Sequence, residues 1–62
     1  MNRTIENELD RYAFLYINAQ SKEEKRDIDK EVIDYLNLIR LTFAEEVPYL
    51  KYYSRKRLNG KK

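Results

Sequence analysis

The feature that most constrains this chain is a change of phase in its apolar pattern near Gln20. From Asn2 to Gln20, Ile5, Leu9, Tyr12, Ala13 and Tyr16 recur at helical spacing, with Leu15 and Ala19 flanking the stripe. Continued as one helix, that face meets Glu23, Arg26 and Lys30. Apolar positions resume instead at Ile28, Val32, Leu36 and Ile39, rotated by about a third of a turn at ~100° per residue. The chain therefore has to turn between the stripes. Ser21-Lys22-Glu23-Glu24 reads as a capping box, in which a hydroxyl and a carboxylate take up free N–H groups at a helix start. The expected unit is an antiparallel helical hairpin, with helix 1 over 3–19, begun by Asn2 or Thr4, and helix 2 over 22–46.

Helix 2 divides into sectors. Ile28, Val32, Tyr35, Leu36, Ile39 and Phe43 form its core face; Glu24, Asp27, Glu31 and Asp34 line one flank, and Lys22, Arg26, Lys30 and Arg40 the other. Beyond Tyr35 the apolar arc widens through Leu38 and Leu41, more than helix 1 alone covers, so a third helix or a second subunit is needed there. Pro48 disfavours helical backbone at Val47 and removes a donor, so helix 2 is expected to end or kink before it. Glu45 and Glu46 suit the first turn of a following helix better than the last turn of this one. A short helix 3 over 48–58 follows, with Asn59-Gly60 as its stop signal.

With 62 residues the chain makes one domain, 1–62, with a marginal core. Cysteine and histidine are absent, which removes disulfides and the usual ligands of structural zinc. The remaining supplement is association, so the fold class expected is all-α: a helical hairpin with a short third C-terminal helix, pairing into a dimeric helix bundle. No apolar run approaches the roughly 20 residues of a membrane span and no signal pattern opens the chain, so the expected setting is cytoplasmic, without membrane.

Catalysis has little to work with. There is no His or Cys to act as base or nucleophile, and the single Gly excludes a glycine-rich phosphate loop. The carboxylates of helix 2 lack the Glu-x-x-His that completes di-iron sites and read as a solvated flank. The expectation is a protein that is not an enzyme, with no cofactor, no metal and no small-molecule substrate.

The net charge of +2 hides an asymmetry: residues 1–50 carry seven basic and eleven acidic side chains, residues 51–62 six basic and none acidic. In the tail, Tyr49, Tyr52 and Tyr53 interleave with Lys51, Arg55, Lys56 and Arg57 before Lys61 and Lys62. Such a tail could grip nucleic-acid phosphates while tyrosines stack on bases. It could equally lie along the acidic flank of helix 2 in its own or a partner chain, or be solvated. Tyr12, Tyr16 and Tyr35 belong to the hairpin interface, whereas Phe14 points away from the stripe. In outline alone, a hairpin of this size resembles small helical adaptors, inhibitors and plasmid-copy regulators, and outline does not carry function.

The function expected is a small regulator or adaptor acting by protein–protein interaction, as a homodimer and/or on a partner protein. Phe14, Leu38, Leu41, Tyr49 and Tyr53 are the candidate partner-binding residues. The alternative is a nucleic-acid-binding protein using Lys51, Arg55, Lys56 and Arg57 on phosphates.

Overall fold

The computed structural model describes residues 2–59 and consists there of three helices without a strand: α1 (Arg3–Ile17), α2 (Lys22–Leu38) and α3 (Phe43–Asn59). The chain is all-α. No helix among the described residues is long and apolar enough to cross a membrane. Gly60, read as part of a stop signal, and Lys61 and Lys62 of the basic tail lie outside the described residues.

Asn2, rather than Thr4, caps α1: its side-chain oxygen accepts from the N–H of Thr4 at 2.8 Å and of Ile5 at 3.3 Å. The helix stops at Ile17, short of residue 19, because the Asn18 side-chain amide donates to the Phe14 carbonyl at 2.8 Å, competing with a further helical turn. At the start of α2, Ser21 Oγ accepts from Glu24 N–H at 3.2 Å. The reciprocal bond of the box falls one residue early, since the Glu24 carboxylate accepts from the Gln20 N–H at 3.3 Å.

The second connection corrects the expected boundaries. Helix 2 does not run to residue 46 but ends at Leu38, where Arg40 takes a left-handed conformation with φ 58° and its N–H bonds to the Asn37 carbonyl. A second capping box then restarts the helix. Thr42 Oγ1 accepts from Glu45 N–H at 3.2 Å and the Glu45 carboxylate accepts from Thr42 N–H at 2.9 Å. These bonds to Thr42, the backbone one foremost, hold the Glu45 carboxyl below its ordinary pKa. Pro48 sits inside α3 instead of ending a helix. Its missing N–H leaves the Ala44 carbonyl without a helical partner, and both residues are exposed, so that carbonyl is not buried unsatisfied. Helix 3 is therefore five residues longer at its start than expected, and Phe43, placed on the core face of helix 2 by its spacing, is 83% exposed in the first turn of α3.

With that turn, α3 folds back on the hairpin. Both other helices pack on α1, α3 more extensively than α2, while the backbones of α2 and α3 approach closely at few points. The core is small: Leu9 and Ala13 of α1, Val32 and Leu36 of α2, and Tyr49 and Tyr53 of α3 are buried. Ile5, Tyr12, Tyr35, Ile39, Leu41, Leu50 and Tyr52 pack around them. Tyr12 meets Tyr35 in a tilted pair at 6.2 Å, and Tyr16 meets Tyr53 edge to face at 6.5 Å.

Candidate protein-interaction site on the third helix

The inner face of α3 is built from two tyrosine–cation pairs spaced i, i+4, each closing on one aspartate of a different helix. Tyr53 OH donates to Asp29 Oδ1 of α2 at 2.8 Å, and Arg57 donates to the same oxygen at 2.6 Å. Tyr52 OH donates to Asp10 Oδ1 of α1 at 2.8 Å, with Lys56 Nζ at 3.9 Å from that oxygen. Each cation also lies over the ring of its own tyrosine, and Arg57 covers Tyr16 as well, 4.5 Å from the ring centre. A third tyrosine, Tyr49, accepts from the backbone N–H of Asn2 at 2.9 Å and so fixes the start of α1.

These contacts shift the groups that make them. Loss of solvent around the hydroxyl, followed by its hydrogen bond to Asp10 and the charges of Asp10 and Glu6, pushes the Tyr52 phenol from its ordinary 10.0 to about 12. Burial and then Asp29 raise Tyr53 as well, partly offset by Arg57. Burial disfavours the Arg57 charge, but Asp29 outweighs it and its pKa is raised.

Two candidate residues are thereby corrected. Tyr49 at 8% exposure and Tyr53 at 3% are core side chains of the same chain and present no surface to a partner; the folding back of α3 supplies the cover that the hairpin alone lacked. Of the phosphate candidates, Arg57 is held by Asp29 at 2.6 Å, and Lys56 lies 3.9 Å from Asp10. The internal-pairing reading of the tail describes them better, although Asp29 lies on the basic side of α2, away from the acidic flank. Leu41 is half-buried against the core. Phe14, 65% exposed on α1, lines none of the three grooves described below.

The outer face of α3 differs. Phe43, Val47, Leu50, Ser54 and Leu58 follow one another at spacings of three or four and form a strip turned away from the tyrosine face. Val47, Leu50, Ser54 and Leu58 line a shallow groove with Lys51 and Arg55. Leu50 and Ser54 also line a second groove, between α3 and α2, where Val32 and Ile33 stand opposite. Phe43 and Leu58 are 83% and 62% exposed, and Ile33 is 46% exposed. Lys51 and Arg55 are exposed and form no ion pair among the described residues. Of the nine candidate residues, these two are brought together with an apolar surface on α3. Val47, Leu50, Leu58 and Phe43 were missed; their spacing becomes a stripe only when Pro48 is read as part of one helix.

A third groove opens on the other side of α2. Tyr12, Glu31, Asp34, Tyr35 and Leu38 line it, and Leu38 is 78% exposed. Its lining combines two tyrosines and a leucine with two carboxylates. Among the described residues no three His, Cys, Asp or Glu side chains gather in an arrangement that could hold a metal ion.

No family model matches the chain, and neither a curated protein nor a solved structure does.

Proposed function

We propose that this protein is a small, non-enzymatic regulator or adaptor of the cytoplasm that acts by protein–protein interaction. The occupant of the outer α3 face is an amphipathic helix of the partner, with acidic residues beside its apolar stripe. The observation that supports this is the strip Phe43, Val47, Leu50 and Leu58 with Lys51 and Arg55 along its edge. From Phe43 to Leu58 the strip extends about 22 Å at ~1.5 Å per residue, which suits about four turns of a partner helix. Contiguous exposed apolar surface rimmed by polar residues is the kind that marks an interaction site. The two cations add direction, because rim charges steer encounter and exclude like-charged partners. The nucleic-acid alternative is weakened by the same contacts that order α3: its tyrosines face inward, and two of its four cations are paired.

The test is fluorescence anisotropy with designed helical peptides that share one apolar stripe and differ in acidic or basic flanks. The expected result is at least about tenfold tighter binding of the acidic-flanked peptide, lost in Phe43→Asp and Leu58→Asp. Both positions are exposed, so the fold survives the changes. Equal binding of both peptides, or of neither, overturns the proposal. Binding of a single-stranded or duplex oligonucleotide that falls steeply with salt and vanishes on removal of Lys51 and Arg55 charge replaces it with the nucleic-acid reading.

A further inference from the structure

We propose that the acidic groove of a second copy of this chain covers the α3 strip, so that the protein associates with itself through two different faces. The inference rests on reading the strip as a docking surface, and concerns what occupies it when no other partner is present.

The carrying observation is a match of charge and register between two outward faces. On α2, Glu31, Asp34 and Leu38 point away from the core; on α3, Lys51, Arg55 and Leu58 do. All six are exposed, and none of the four charged ones forms an ion pair among the described residues. Each trio reads charge, charge, leucine along the chain and runs from one residue to the seventh after it, about 10.5 Å of helix at ~1.5 Å per residue. Laid parallel, α2 of one copy sets Glu31 against Lys51, Asp34 against Arg55 and Leu38 against Leu58 of the other. Seven residues is also the repeat at which a helix returns to nearly the same face, so neither helix has to bend to keep the three pairs together. Tyr35 beside Leu38, and Val47 and Leu50 beside Lys51, extend the apolar contact on the two sides.

Because the two faces belong to different helices, the contact is head to tail. Every copy offers both halves, and association closes into a dimer only where one twofold axis satisfies both contacts at once; otherwise it continues to larger assemblies. The antiparallel register sets Leu38 against Lys51, and Glu31 against Leu58, and forfeits two of the three pairs.

The experiment measures the mass of the pure protein in solution by sedimentation against protein concentration, at ~0.05 M and at ~1 M salt, the higher level screening exposed charges beyond about 3 Å. The expected result is mass above the monomer at low salt that falls at high salt. Glu31→Lys with Asp34→Lys, and separately Lys51→Glu with Arg55→Glu, each weaken association at least about tenfold. An equimolar mixture of the two variants restores it, since each then supplies the charge the other lost. A wild type that stays monomeric up to ~1 mM at low salt overturns the proposal. So does a mass unaffected by both reversals, or a mixture that stays dissociated. Circular dichroism of each variant confirms the fold, and the salt dependence of the wild type needs no variant. No peptide is present in these measurements, so their failure leaves the peptide-binding result standing, and failure of peptide binding leaves the mass result standing.

Discussion

The two faces of α3 are made of different chemistry and bound to the rest of the molecule in different ways. Inward, Tyr49, Tyr52 and Tyr53 combine ring burial with hydroxyls that each find a partner on α1, at its cap or on α2. Outward, Phe43, Val47 and Leu58 have no polar tip, and Phe43 and Leu58 are largely exposed. The inner face does most to hold α3 in place, because directional bonds at the ends of rings fix both position and rotation of a helix. Of the outer strip, Leu50 still packs against the core, whereas Phe43 and Leu58 are largely exposed and free to bind something else. The comparison also separates the two aspartates. Asp29 receives both Tyr53 and Arg57 at short distance, whereas Asp10 receives Tyr52 and a lysine at 3.9 Å.

The most severe way to break the inner face is Tyr53→Ala. It removes a ring that is 3% exposed, together with the edge contact to Tyr16 and the platform under Arg57. Truncation of a buried aromatic costs about 3–5 kcal/mol. A chain of 62 residues has about 3–9 kcal/mol in total at 0.05–0.15 per residue. Urea denaturation should find the variant largely unfolded in dilute buffer; a midpoint near the wild type would show that α3 is held elsewhere.

Next is the pair Asp29→Ala and Asp10→Ala. Loss of Asp29 leaves a buried hydroxyl and a half-buried guanidinium without their acceptor, expected to cost about 1–2 kcal/mol. Loss of Asp10 removes a more exposed arrangement and should cost about 0.5–1 kcal/mol. The difference is read from the shift in denaturation midpoint at constant slope. Equal effects would make the two clamps equivalent and erase the distinction between them.

Alkaline pH acts on the tyrosines of the inner face. A phenol whose folded pKa exceeds its unfolded value holds its proton more tightly when folded. Its stabilising effect is complete below the unfolded value and is lost as pH rises through the folded one. For Tyr52 that window runs from 10.0 to about 12, and Tyr53 moves in the same direction. Helicity followed by circular dichroism should fall across this range, and Tyr52→Phe should flatten the part that Tyr52 contributes. An unchanged profile in Tyr52→Phe would exclude that linkage.

What the sequence made legible follows from how local each signal is. The hairpin could be read because the apolar phase and the Ser21–Glu24 box are properties of neighbouring residues, and both appear in α1 and α2. The early end of α2 could not, because it depends on Arg40 adopting a left-handed backbone with no glycine to announce it. Thr42-Phe43-Ala44-Glu45 was an equally good capping box, but Pro48 drew the boundary to itself. That one misplacement hid the outer strip by assigning Phe43 to helix 2. The clamps were out of reach for another reason. Asp10 and Tyr52 are 42 residues apart, and Asp29 and Tyr53 are 24 apart, so their pairing exists only once α3 has folded back.

The smallest expected effect on stability is the most informative about function. Leu58 stands near the end of α3, 62% exposed, and contributes to the outer groove rather than the core. Leu58→Ala removes little buried area, and alanine is as good a helix former, so its stability should stay within about 0.5 kcal/mol of the wild type. The same change should weaken the acidic-flanked peptide by about 4- to 30-fold, the span given by losing about 0.8–2 kcal/mol of apolar contact. Measured on one sample, by urea denaturation and by anisotropy, the two numbers separate the faces. A variant that loses stability and keeps its affinity would place Leu58 in the structural set and move the binding surface off this end of α3. One that loses affinity alone would show that the outer strip is maintained for a partner, since nothing in the fold of the single chain requires a leucine there.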